Sequence, residues 1–245
     1  ILTKDTFYGF FQKEGKDQLV AGGRYRPMSL LIFSLIYELF GENPFVYHAL
    51  NLLLFNALSI LIYFWLYRMF REFEWSLPVG LATSVIFASH PIHTEVVANI
   101  KGLDEILAML FAVCSAYILL HAKDNKGNVV LAQVTAGILF FLGLLSKENT
   151  ITYLAVIPIS FYFFRSRNIR VILWSLPGIL VASISFIAVR ASILGKGLGE
   201  PPMELMNNPF LKWTGNQYVI MHMGEKFSMI FQTLFKYLQL FIFPR

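Results

Sequence analysis

Between residues 45 and 194 the chain is a succession of apolar runs: 45–67, 77–89, 103–120, 129–145, 151–164 and 171–194. Short polar connections separate them. About 20 apolar residues cross a bilayer as a helix, and inside lipid a helix is one of only two structures that satisfies its own backbone polar groups. The pattern predicts an all-α, polytopic membrane helical bundle, with these six runs as transmembrane helices and a kink at Pro177 in the last. Composition agrees: 56% of residues are hydrophobic and 14% charged, against about 25% charged in a soluble domain.

The rest of the chain arranges itself around those runs. Residues 1–26 are a polar and aromatic outer loop. Residues 28–40, between Pro27 and Gly41, are apolar but short, and suit a helix lying at the interface. Residues 195–226 form a second outer loop, and 227–243 a last membrane or interfacial helix. Together 1–245 reads as a single transmembrane domain of about six to eight membrane or re-entrant helices. The first residue is Ile1 rather than Met, and the sequence ends on Phe243-Pro244-Arg245, directly after an apolar run, so a fragment of a longer protein is expected. The lone cysteine, Cys114, excludes an intrachain disulfide.

The basic residues orient the bundle. Arg68, Arg71, Lys123, Lys126, Arg165, Arg167 and Arg170 follow alternate runs, whereas the short loops between carry only Lys101 and Lys147. Cytoplasmic loops collect Lys and Arg, so the first set faces the cytoplasm. The net charge of +5 reflects this bias rather than nucleic-acid binding. The other face then holds the polar constellations, as in an integral, multi-pass protein. A bacterial inner membrane is expected ahead of the endoplasmic reticulum.

Three constellations share that outer face. The stretch 90–105 carries His90, His93, Glu95, Asp104 and Glu105, and ionisable groups beside a membrane are expensive to keep without a use. Glu95, Asp104 and Glu105 are the candidate catalytic carboxylates, able to take a proton or hold a basic partner. Asp104 and Glu105, just after Gly102, equally suit a helix N-terminus. His90 and His93 suit hydrogen bonding to a sugar or phosphate, or a structural loop role. Pro91 between them breaks the spacing of a dedicated zinc site, so no metal centre is assigned, although a divalent ion is compatible with the carboxylates. Arg24 and Arg26 can bind a lipid phosphate bidentately or be drawn to anionic headgroups. Lys147 can add a point charge to a phosphate or pair internally with Glu148.

The residues Arg24-Tyr25-Arg26-Pro27, His90-Pro91-Ile92-His93-Thr94-Glu95-Val96-Val97-Ala98, Gly102-Leu103-Asp104-Glu105-Ile106-Leu107 and Ser146-Lys147-Glu148, in that order, resemble the transmembrane-and-tetratricopeptide-repeat protein O-mannosyltransferases. More widely, they resemble the GT-C glycosyltransferases. The resemblance runs from about residue 24 to residue 159, and its most specific part is His-Pro-Ile-His-Thr-Glu. It implies a GT-C helical fold and inverting transfer of a sugar, mannose or another hexose, from a polyprenyl-phosphate donor to a protein acceptor on the outer face. It implies membrane lipid as a partner, no nucleic acid and no firm cofactor. It also implies an acidic pair, the usual source of the catalytic base, on the first outer loop. Asp5, Glu14 and Asp17 form no such pair, so it is expected upstream of Ile1, and tetratricopeptide repeats beyond Arg245. Where many members carry Arg before the acid of the third motif, this chain has Leu103. The rival reading is a transporter or lipid-binding scaffold without chemistry.

Overall fold

The computed structural model describes residues 24–124, 128–164, 167–194, 203 and 208–244. Two compact units emerge: Arg26–Val189, and Ile1–Tyr25 with Arg190–Arg245.

The larger unit is a helical bundle. Its elements are α1 (Pro27–Phe40), α2 (Pro44–Met69), α3 (Ser76–Ser89), a one-turn 3-10 segment (Pro91–His93), the short α4 (Thr94–Ala98), a second 3-10 turn (Ile100–Gly102), α5 (Leu103–Asp124), α6 (Val129–Ser146), a 3-10 segment (Glu148–Thr152), α7 (Tyr153–Phe164), α8 (Ile169–Trp174) and α9 (Pro177–Leu194). Helices α2, α5 (with the turn before it), α6 and α9 are long and apolar enough to cross a membrane. Helices α1, α3 and α7 have 14, 14 and 12 residues, fewer than the roughly 20 that crossing takes unaided.

Helix α5 is the axis of the bundle. In its apolar window 61% of residues are buried, against 22–33% for the other three. Leu103, Ala112, Val113 and Leu119 are completely enclosed. Leu58 and Ile62 of α2 pack on Val113, with Phe87, Met109 and Tyr153 around them. On the α6 side, Ser115 Oγ donates to the Ala136 carbonyl at 2.9 Å. The outward-facing residues of these helices are large and apolar, as lipid requires.

The run 171–194 is a broken helix rather than a kinked one. Pro177 lacks an N–H and disfavours helical backbone at the residue before it, so α8 stops at Trp174 and α9 begins afresh. Gln133 of α6 bridges the break: its Nε2 donates to the Trp174 carbonyl at 2.7 Å, and its Oε1 accepts from the Gly178 N–H at 2.8 Å. Gly178 permits the approach, since a Cβ there would lie 2.2 Å from the Gln133 carbonyl oxygen.

The described part of the smaller unit differs from the expected polar loop. Leu211–Trp213 (β1) pairs antiparallel with Tyr218–Ile220 (β2), Lys212 opposite Val219. Helix α10 (Met223–Ile242) begins four residues earlier than the apolar run suggests. Glu225 permits this by accepting the His222 N–H at 2.8 Å, a reciprocal cap that satisfies a donor left over at the helix start.

Candidate active site

Three chain segments far apart in sequence meet at one end of the bundle. Arg26 stands just before α1, its backbone already out of the helix while Pro27 occupies the first helical position, where a missing N–H costs nothing. Asp104 and Glu105 lie in the first turn of α5. Lys147 caps the C-terminus of α6, and Glu148 opens the next turn. Acids at a helix start and a base at a helix end both suit the helix dipoles, so the antiparallel α5–α6 pair brings opposite charges together.

The geometry is specific. Arg26 Nε and Nη2 donate to the two oxygens of Glu148, both at 2.9 Å, and Nη1 donates to Asp104 Oδ2 at 2.8 Å. Lys147 Nζ pairs with Glu105 Oε1. Asp104 and Arg26 are the enclosed partners, with side chains 8% and 14% exposed, whereas Glu148 is 44% exposed. Burial alone would lower the Arg26 pKa. Hydrogen bonding and attraction from Glu148, then Asp104, outweigh it and hold the value above the ordinary one. The guanidinium stays charged, with each of its three nitrogens already donating to a carboxylate. Arg26 therefore clamps α1, α5 and the end of α6, and Lys147 makes a second clamp beside it.

The stretch 90–102 is folded onto the bundle by an amide. Asn51, completely buried in α2, donates Nδ2 to the Asn99 carbonyl at 2.9 Å and more weakly to that of Ile100. Asn99 Oδ1 in turn caps the following turn through the Lys101 N–H. Gly102 closes the loop where the Val96 backbone crosses it: a Cβ on Gly102 would lie 1.9 Å from the Val96 carbonyl oxygen.

His90 and His93 face a groove of about 360 Å³ lined also by Phe55, Asn56, Ser89 and Thr94. His90 Nδ1 accepts the Ile92 N–H at 3.2 Å. The His93 ring sits 4.4 Å from Phe87 and 5.5 Å from Phe55. Burial, and secondarily the neighbouring His90, lower the His93 pKa below its usual 6.5. The folded chain therefore binds this proton less well than the unfolded chain, and the stability held above pH 6.5 is lost as pH falls through and below it. We expect the melting temperature in detergent to drop from pH 7.5 to 5.5, and His93→Phe to flatten that drop. An unchanged slope would remove His93 as its source.

Glu95 is exposed, and its side chain makes no hydrogen bond or ion pair among the described residues. Arg24 falls in the smaller unit. Among the described residues no three His, Cys, Asp or Glu side chains are grouped to hold a metal ion. The structure thus joins Arg26, Asp104, Glu105, Lys147 and Glu148 in one charged cluster, places His90 and His93 in a groove, and leaves Glu95 open. The sequence reading passed over Asn51 and Gln133. Isolated amides inside apolar runs were the signal, because such groups need partners in a membrane.

A helical integral membrane protein, with a clamp of ion pairs at one end and an open carboxylate beside a histidine-lined groove, is the class that these features define. Among curated proteins, the chain is 32% identical over 136 residues to Protein O-mannosyl-transferase F38B6.6 of Caenorhabditis elegans, covering 56% of this chain and 18% of that protein. It is 33% identical over 135 residues to human Protein O-mannosyl-transferase TMTC2, covering 54% and 16%. To human Protein O-mannosyl-transferase TMTC3 it is 29% identical over 133 residues, covering 54% and 14%. The motifs and the curated relatives therefore point to the same family, although the chain spans less than a fifth of each relative's length. These relatives are animal proteins and give the bacterial inner-membrane expectation no support. No family model and no solved structure matches the chain.

Proposed function

We propose that this chain is part of a membrane glycosyltransferase that moves a hexose, mannose first among them, from a polyprenyl-phosphate donor to a protein hydroxyl on the non-cytoplasmic face. The observation that carries this reading is the gathering of Arg26, Asp104, Glu105, Lys147 and Glu148 at one end of the bundle, rather than along a path through it. Transport would need polar groups along its route; a reaction between a lipid-borne donor and a protein needs them at one surface. The names of the curated relatives support the class of reaction.

In the proposed reaction a carboxylate takes the proton of the acceptor hydroxyl, its oxygen attacks the anomeric carbon with inversion, and the lipid phosphate leaves. Arg26 is committed to Asp104 and Glu148, so it acts by positioning. Lys147, at a helix end beside it and held by the single carboxylate of Glu105, supplies positive field for a departing phosphate. Glu95 is the open carboxylate, suited to sugar hydroxyls or to orienting the acceptor, with His90 and His93 lining the adjacent groove.

Glu95→Gln in the full-length protein tests this. Exposed and unpaired, Glu95 contributes little to folding, so the melting temperature should be unchanged. Transfer should fall about tenfold or more, the consequence of losing a hydrogen bond to a charged group, worth about 1.5–3 kcal/mol. Wild-type transfer by the variant would remove Glu95 from the site.

A further inference from the structure

We propose that residues 208–243 form a membrane-interface module, in which α10 lies flat in the bilayer surface instead of crossing it. With 20 residues, α10 is about 30 Å long at 1.5 Å per residue, which is enough to span. Its residue pattern argues otherwise. Phe227, Phe231, Leu234, Phe235, Leu238 and Ile242 recur at helical spacing on one face, and each is more than half exposed. Glu225, Ser228, Gln232, Lys236 and Gln239 recur at helical spacing as a polar stripe along a different side of the helix. In a spanning helix Gln232 would sit at the bilayer centre and Lys236 within the hydrocarbon, where a charge costs about 3 kcal/mol on insertion scales. Lying in the interface, the same helix buries its apolar face roughly 5–10 Å deep and keeps the stripe in water. No residue of α10 is buried, so no protein surface among the described residues covers either face.

The hairpin makes an independent case. It is fastened to the start of α10 by the Lys212–Glu225 ion pair, by the Met221 N–H bonding the Phe210 carbonyl at 2.9 Å, and by Lys226 over the Phe210 ring. At its end the Trp213 and Tyr218 rings meet at a tilt, centroids 5.0 Å apart, and stay 58% and 40% exposed. Exposed Trp and Tyr are the side chains that membrane headgroup regions favour. Continuity with the membrane selects lipid as the occupant. Helix α9, long enough to cross, ends at Leu194, and the roughly 16 residues from there to the hairpin reach at most about 55 Å. Chain continuity thus keeps the module within that reach of the bilayer, where modest insertion energies suffice.

The test uses the full chain freed of native cysteines, Cys114 included, with single cysteines at Gly224 and Phe243. Gly224 accommodates a side chain, since a Cβ there meets nothing within 4 Å. In sealed proteoliposomes, an impermeant maleimide should reach both positions from the same side. Spin labels at Phe231 and Leu234 should be accessible to lipid-soluble oxygen, and one at Gln232 to an aqueous nickel chelate. Labelling from opposite sides would overturn the proposal in favour of a spanning helix. Immobile labels at Phe231 and Leu234 shielded from oxygen would overturn it in favour of a protein-covered face.

Discussion

Replacing Arg26 by Gln is expected to lower stability by about 3–5 kcal/mol, the usual consequence of leaving a buried charge without its partner. Asp104 is the residue left stranded: its carboxylate is nearly enclosed, and the Arg26 Nη1 donor at 2.8 Å is what offsets its desolvation. Glu148 contributes less, because its 44% exposure lets water stand in for the guanidinium. Arg26→Lys does not rescue the site, since one ammonium cannot reproduce a fork that serves two carboxylates. Melting in detergent reads the effect, and a double-mutant cycle isolates it. Arg26→Gln combined with Asp104→Asn should be clearly more stable than the sum of the single losses predicts. Strict additivity would mean that the pair is a surface contact and not a clamp.

Gly102→Ala is expected to be comparably severe. Its Cβ would stand 1.9 Å from the Val96 carbonyl oxygen, so backbone rather than a flexible side chain has to move. Overpacking typically costs 1–3 kcal/mol, and about 3 or more is expected where the obstacle is main chain. The displaced segment carries His90, His93 and Glu95, so transfer should fall together with the melting temperature. Gly224→Ala is the control: with open space around its Cβ, it should leave stability unchanged or raise it by up to about 1 kcal/mol, the gain of Ala over Gly in a helix. Equal behaviour of the two variants would contradict the close crossing at Gly102.

The helices were legible because a membrane leaves a chain few options. Apolar runs of sufficient length become α2, α5, α6 and α9, and charged residues fall at or near their ends. Local chemistry also announced Pro177, although a break bridged by Gln133 depends on a neighbour 41 and 45 residues away. The hairpin at 211–220 was hidden because its strands have three residues each, too few for an alternating pattern. The charges of the site could be named but not paired. Arg26 meets Asp104 across 78 residues and Glu148 across 122, a distance at which sequence carries no geometry. A free arginine beside a membrane suggests a phosphate; an arginine forked between two carboxylates is a clamp.

The most direct measurement is sugar transfer by the purified full-length protein in proteoliposomes, from a polyprenyl-phosphate mannose donor to an acceptor polypeptide. The proposal predicts a mannosylated hydroxyl with the anomeric configuration inverted relative to the donor, and at least about a tenfold loss in Glu95→Gln at an unchanged melting temperature. Absence of transfer by the intact, folded protein, or full transfer by the Glu95 variant, would contradict it.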